Sequence, residues 1–266
     1  MNRPDRNFRF YTIFLLMFLS GTTTLAANRY SVATGNWSST STWSATSGGA
    51  SGVSAPVAGD VVYIEGNRTV TINTNANCAS ISIASGSSLN IGAFTTNFTG
   101  TTTVSGTLTI TSTTGTKTFG QVIISGGTWT NNVAETYAIT GMTLSGSTIG
   151  GAATGVFNIA ASGLTISEST TNTINRSTFT VTGPTTVNGT LIFGNATGTK
   201  TFIGLITNNG TWTNSANSAI TLRGGITNNG TFTSGTGTHT FSTSNQAIGG
   251  TNAITFSGAV AISGAI

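Results

Sequence analysis

The stretch ITNNGTWT at residues 206–213 recurs twenty residues later as ITNNGTFT at residues 226–233. A second repeat has a longer offset, since TVSGTL at residues 103–108 returns as TVNGTL at residues 186–191, 83 positions further on. An offset of 83 is about four units of just under 21 residues. Self-similarity at such a period is typical of proteins in which each unit stacks on the next.

Apolar residues alternate with Thr, Ser or Asn inside each unit, as in TVTI at residues 69–72 and TLTI at residues 107–110. Alternation with a period of two predicts β-strands that bury one face. Units of about 20 residues are shorter than a propeller blade, and they lack the leucine frame of leucine-rich repeats. The sequence therefore predicts an all-β fold, a parallel β-helix (β-solenoid) with coils of about 20 residues.

The composition excludes other classes. The 266 residues include 36 Gly and 57 Thr, and only 5% are charged, against about a quarter in ordinary soluble domains. A disordered chain carries more charge than this one, and fewer apolar residues than the 37% found here. Gly, Thr, Ser and Asn are weak helix formers, so a helical protein is also excluded.

The N-terminus has the features of a secretory signal peptide at residues 1–26. Arg3, Arg6 and Arg9 precede an apolar stretch at residues 10–19, and small residues follow. The apolar stretch is too short to span a bilayer, which takes about twenty residues. We expect an exported protein, located outside the cell or on its outer surface, with no transmembrane segment in the mature chain.

The rest of the chain is nearly neutral and divides into two regions. Six basic and four acidic residues remain after position 26, without the Lys and Arg clusters that nucleic-acid binding requires. Residues 27–60, which contain Trp37 and Trp43, differ from the repeats and are interpreted as an N-terminal cap. Residues 61–266 are assigned to the solenoid. Because the repeat pattern is still running at Ile266, we expect further coils of the same protein beyond it.

Four motifs resemble a module found in secreted Bacteroidetes proteins. They are GNW at residues 35–37, TWS at 42–44, PVAGDVVYI at 56–64 and RTVTI at 68–72. Such modules begin long, β-helical, adhesin-like surface proteins. The resemblance implies a right-handed helix, a chain that is part of a larger protein, and adhesion to glycans, matrix or neighbouring cells.

The residues that would support catalysis are few and scattered. Asp60, Glu65, Glu135 and Glu168 are the acids of the chain after position 26, whereas glycoside hydrolysis needs two carboxylates within about 5–10 Å. Asp60 lies in a Pro-x-x-Gly-Asp turn, where an Asp ordinarily accepts bonds from nearby backbone donors. We predict no enzymatic activity, no metal site and no cofactor.

Four further side chains receive structural interpretations. Lys117, Lys200 and His239 occupy equivalent places in related Thr-x-Thr-Phe units, and a position that accepts either Lys or His is expected to be exposed. The single cysteine, Cys78, is expected to be a small buried hydrophobe.

Threonine pairs provide the candidate contact surface. If Trp129, Trp212 and Phe232 point inward, the threonines beside them point outward. Stacked Thr-x-Thr pairs resemble the ice-contacting faces of solenoid antifreeze proteins, although Thr is also an ordinary solvated strand residue and Ile192 interrupts the array. The candidate array comprises Thr107, Thr109, Thr128, Thr130, Thr211, Thr213, Thr231 and Thr233.

Asparagines recur with the same period. Asn131, Asn208 and Asn228 are expected to form a hydrogen-bonded ladder, as stacked Asn side chains do in cross-β assemblies. The sequons that begin at Asn188 and Asn209 are attributed to the Asn- and Thr-rich composition and receive no role.

These observations predict a non-catalytic secreted or cell-surface protein, structural or adhesin-like, that presents an extended uncharged surface for adhesion. Two alternatives remain open: an ice-binding solenoid that uses the stacked threonine pairs, and a glycan-binding module.

Overall fold

The computed structural model describes residues 26–134, 137–151, 157–195, 197–243 and 245–263. Apart from Ala26, the predicted signal peptide lies outside these residues. The described chain winds into parallel coils, in which strands pair with the equivalent strands one coil before and after. Val62 pairs with Ile81, and Ile81 with Thr102, so these coils are 19 and 21 residues long. The predicted all-β parallel β-solenoid is confirmed.

The coils form three faces. The first face contains the strands Asn28–Ser31, Val61–Ile64, Ser80–Ile83, Thr102–Val104, Leu164–Ile166, Thr185–Val187, Ile206–Asn208, Ile226–Asn228 and Ile248–Gly249. The second face contains Gly35–Asn36, Thr69–Ile72, Ser88–Ile91, Thr107–Ile110, Thr128–Asn131, Thr148–Gly150, Thr171–Ile174, Thr190–Phe193, Thr211–Thr213 and Thr231–Thr233. The third face contains Ala76–Cys78, Thr96–Phe98, Phe157–Ile159, Phe179–Val181, Thr199–Phe202, Ala219–Leu222, His239–Phe241 and Val260–Ile262. Two long strands, Lys117–Ser125 and Tyr137–Ser145, run from the third face into the first.

Residues of the segment interpreted as a cap pair with the first coil and with one another. Its first strand, Asn28–Ser31, pairs in parallel with Val61–Ile64 and antiparallel with Trp43–Ser44, which follows a 3-10 helix at Thr40–Thr42. The indole Nε1 of Trp43 donates to the carbonyl oxygen of Trp37 at 2.7 Å, and both rings are buried. The parallel pairing of the solenoid therefore begins inside residues 27–60.

The interior holds the apolar members of the alternating strands. Trp129 and Trp212 are fully buried, as expected, and Phe232 is partly buried against the core. Aromatic rings contact one another from coil to coil, for example Trp129 with Phe157 at a centroid distance of 5.1 Å. Cys78 is also buried, and loss of hydration there raises the pKa of its thiol, with a smaller contribution from the charge of Asp60.

The asparagine ladder forms at two of its three predicted positions. Asn208 and Asn228 are buried partners on the first face, and Asn208 Nδ2 donates to Asn228 Oδ1 at 2.7 Å. The prediction is wrong for Asn131, which ends a strand of the second face and pairs with Ile110. Similar sequences surround the three asparagines, so the sequence did not show that Asn131 lies on a different face from Asn208 and Asn228.

Candidate ligand-contact surface

The second face presents two outward side chains per strand at most levels. In the strand Thr107–Ile110, Leu108 and Ile110 are buried while Thr107 and Thr109 are partly exposed. Many strands of the other faces have three residues and a single outward side chain, as in Ile206–Asn208. The second face is therefore the broader surface for contact with a flat partner.

One outward column runs nearly the full length of this face. Its members are successive register partners, spaced at about 4.8 Å as strands in a sheet are. Seven of the nine are threonines, and Ile192 is the apolar interruption that the sequence predicted. The column comprises Thr69, Ser88, Thr107, Thr128, Thr148, Thr173, Ile192, Thr213 and Thr233.

The eight predicted threonines do not form one two-column array. Thr109 and Thr130 lie in a second column that reaches Gly150. Thr211 and Thr231 lie in a third column, on the opposite side of the long one. The columns are offset because Thr148 pairs with Thr173 rather than with Thr171. A shift of two residues keeps every side chain on its side of the sheet, so the core is undisturbed.

Threonine columns are also present on the other two faces. On the first face the partners of Thr143 include Thr165, followed by Thr186 and Thr207. On the third face Thr180 is followed by Thr201 and then by further threonines. Threonine is thus a general outward residue of this solenoid, and the second face differs in breadth.

A polar groove, the corner groove, lies where the first face turns into the second. It is an open depression of about 350 Å³ across three successive coils. None of its lining side chains is charged. They are Ser169, Thr170, Thr171, Asn188, Gly189, Thr190, Gly210 and Thr211.

An exposed asparagine ladder runs along this corner. Asn209 Nδ2 donates to Asn188 Oδ1, and Asn229 Nδ2 donates to Asn209 Oδ1, both at 3.0 Å. The backbone N–H of Thr251 donates to Asn229 Oδ1 at 3.1 Å. Sequence reasoning missed this ladder, although the Asn-Gly-Thr triplets carried the signal, because their register places like residues directly above one another.

Glycines form the backbone surface between the asparagines and the threonines. A Cβ at Gly210 would overlap the carbonyl oxygen of Gly189, and a Cβ at Gly230 would overlap that of Gly210. Side chains are therefore excluded here by contact with the preceding coil. The result is a row of glycines, partly exposed at Gly210 and Gly230, with an amide ladder on one side and a hydroxyl column on the other.

Two of the described acids, Asp60 and Glu65, accept hydrogen bonds in the N-terminal region, and the third, Glu168, lies far from them in sequence. Asp60 is buried, and its carboxylate accepts the backbone N–H groups of Ala27 at 2.9 Å and Val57 at 3.1 Å. Arg29 Nε lies 3.6 Å from the same carboxylate. The hydroxyl of Ser47 donates to Glu65 Oε1 at 2.5 Å. Glu168 is exposed in the turn before the corner groove, and Glu135 lies outside the described residues.

The expectation that Lys117, Lys200 and His239 are exposed is wrong. All three are buried, with relative exposures of 2%, 0% and 0%. They point inward because each lies two residues before a buried phenylalanine of the same strand, as Lys200 does before Phe202.

The buried nitrogen atoms of Lys200 and His239 lie against carbonyl oxygens of turns between the second and third faces. Lys200 Nζ donates to the carbonyls of Ser177 at 3.0 Å, Asn195 at 2.9 Å and Thr197 at 2.8 Å. Loss of hydration lowers the pKa of Lys200 to about 8. His239 Nδ1 lies 3.0 Å from the carbonyl of Gly237, and burial lowers the pKa of this imidazole too.

A comparison of the chain with protein-family models, with curated proteins and with solved structures finds no match. Within the described ranges, three or more His, Cys, Asp or Glu side chains are nowhere grouped so as to hold a metal ion. The same ranges contain no helix long and apolar enough to cross a bilayer.

Proposed function

We propose that this protein is an exported, non-catalytic, adhesin-like solenoid that presents an uncharged surface to glycans, matrix or neighbouring cells. The observation that carries the proposal is the set of outward hydroxyl and amide columns along a rigid stack of coils. Export is supported by the basic, apolar and small-residue succession at residues 1–26. The adhesin-like role draws on the resemblance to the Bacteroidetes module.

The mechanism would be multivalent. A single neutral hydrogen bond contributes only about 1 kcal/mol, because it replaces a bond to water. A stiff rod holds many such groups at fixed spacing, so that contacts after the first are intramolecular and occur at high effective concentration. Without charged contacts, attachment would depend little on ionic strength.

Adhesion of protein-coated beads tests the proposal. Beads carrying the purified protein should be retained under flow on surfaces coated with neutral polysaccharides, and soluble polysaccharide should release them. Beads carrying an inert protein of similar charge are the control. Equal retention of the two bead types would contradict an adhesive role.

The non-catalytic part of the proposal has its own test. The polysaccharides from the bead assay are incubated with the protein, and new reducing or unsaturated ends are measured. No turnover is expected. Turnover that is lost in the Glu65→Gln variant would show that the protein is an enzyme.

Ice binding is a second candidate, favoured by the long threonine column and its flanking columns. Ice binding predicts thermal hysteresis or shaped ice crystals, both lost in Thr128→Tyr because the ring breaks the long column on the second face. Thr165→Tyr, which places the same ring on the first face, is the matched control. Ordinary ice growth at high protein concentration would eliminate this candidate.

A further inference from the structure

We infer that the corner groove is a binding site for an extended neutral oligosaccharide, with one sugar unit per coil. This inference rests on the proposed adhesive function and assigns it a place and a ligand class. The open depression of about 350 Å³ spans three coils, from Ser169 through Asn188 to Thr211. It is large enough for a short chain of sugars rather than for a single small solute.

The chemistry of the walls fits a sugar chain. Thr171, Thr190 and Thr211 are successive partners of one hydroxyl column, and hydroxyls both donate and accept hydrogen bonds. On the other side, the amide of Asn188 accepts from Asn209. No described residue accepts a hydrogen bond from Asn188 Nδ2, so its two N–H groups are available to a ligand at the groove. Neutral donors and acceptors in rows match the hydroxyl groups of a glycan.

The spacing and the floor favour an extended ligand that lies along the solenoid axis. Equivalent groups repeat every 4.8 Å or so, which is close to the length of one sugar unit in an extended chain. Gly210 has no side chain and is partly exposed between the walls, so a sugar ring can approach its backbone.

The charge distribution selects neutral over acidic glycans. The eight lining residues are uncharged, and the one charged neighbour in the adjoining turn, Glu168, is exposed and negative. An acidic sugar would therefore meet repulsion without a compensating cation. Binding of a neutral chain should change little between low and high salt.

Calorimetric titration with a defined panel tests the site. The panel contains glucose, mannose, N-acetylglucosamine, cellobiose, cellotriose, mannotriose, N-acetylchitotriose and trigalacturonate. At least one neutral trisaccharide should bind at least about tenfold more tightly than its monosaccharide, a difference that titration resolves readily. Trigalacturonate should bind more weakly than the best neutral trisaccharide.

Two variants locate the binding. Thr190→Tyr fills the middle of the groove and should lower the affinity for the best trisaccharide by at least about tenfold. Thr186→Tyr introduces the same ring four residues earlier, on the first face, and should leave affinity unchanged. Asn188→Ala removes the amide without adding bulk and should give a smaller loss. Circular dichroism confirms that the variants are folded.

The outcomes separate this inference from the adhesive function. If Thr190→Tyr binds as the unaltered protein does, the groove is not the site, although adhesion stands. If no neutral trisaccharide binds, the groove assignment fails, and the bead assay decides adhesion independently. Tighter binding of trigalacturonate than of every neutral sugar would overturn the ligand class.

Discussion

At the scale of single residues, buried cations replace the hydrogen bonds that a turn would otherwise make with water. Two successive turns between the second and third faces direct carbonyl oxygens inward, and the Lys200 ammonium donates to three of them. Its aliphatic stem meanwhile fills space in the core. The lysine therefore fixes the turn conformation as well as packing beneath it.

Replacing this lysine tests its contribution. Lys200→Met keeps most of the stem but leaves three carbonyls without their donor, so we expect a loss of about 2–4 kcal/mol in the free energy of unfolding. Denaturation with urea measures it. Arg223→Met, at an exposed position, is the matched loss of positive charge and should change stability by less than about 0.5 kcal/mol. Similar effects of the two substitutions would contradict the role of the carbonyl contacts.

The pKa of Lys200 predicts a pH dependence of stability. Because burial lowers this pKa to about 8 from its ordinary value of 10.5, the unfolded chain binds more protons between these values. The stability of the folded protein relative to Lys200→Met should therefore rise as the pH increases from 8 to 10.5. Thermal unfolding of both proteins across this range measures the difference. A difference that stays constant or shrinks with pH would contradict the effect of burial.

At the scale of elements, the coil repeats along the chain, but the number of residues between equivalent positions differs between the first and the second face. Thr102 on the first face leads through four coils to Thr185, which matches the sequence offset of 83. On the second face the same four coils lead from Thr107 to Ile192. The two additional residues on the second face arise at the strand Thr171–Ile174, where Thr148 pairs with Thr173. The alternation of inward and outward side chains is kept.

Close packing between coils makes the glycines of the corner groove structural. Gly210→Ala should destabilise the protein by several kcal/mol, because its Cβ would overlap the carbonyl oxygen of Gly189. Gly150→Ala is the control, since the nearest atom to its Cβ would be 4.0 Å away on Thr148. Urea denaturation compares the two. Equal stability would show that successive coils are not packed this closely.

The repeat offsets were enough to predict the coil length, and alternation within short strands was enough to predict the strands and the buried tryptophans. The same rule would have placed Lys200 inside, because it lies two residues from Phe202; the expectation failed because polarity was given more weight than alternation. The offset threonine columns could not be predicted, since the pairing of Thr148 with Thr173 depends on the path of the intervening chain. The groove was not predicted, because its Asn-Gly-Thr triplets were attributed to the Asn- and Thr-rich composition of the chain.

At the scale of the whole molecule, stacking explains the near absence of charge. A side chain in one coil lies about 4.8 Å from its equivalent in the next, so like charges repeated along a column would repel. Hydroxyl and amide groups repeat without this penalty, and asparagines even bond to one another along the corner. A long neutral surface is therefore the natural product of this architecture.

Salt separates this surface from an electrostatic one. If neutral groups make the contacts, retention of protein-coated beads on neutral polysaccharide should be the same at about 0.05 M and 1 M salt, where the screening length changes severalfold. Bead retention in flow measures this. Loss of most retention at high salt would point instead to the few exposed charged side chains, such as Glu168 and Arg223.

The most direct test of the central claim, a non-catalytic surface that binds neutral glycans, is to incubate the purified protein with an array of neutral and acidic glycans and recover the bound molecules for mass measurement. The account predicts that neutral glycans are retained and recovered at their original mass. Failure to retain any neutral glycan, or recovery of cleaved products, would contradict it.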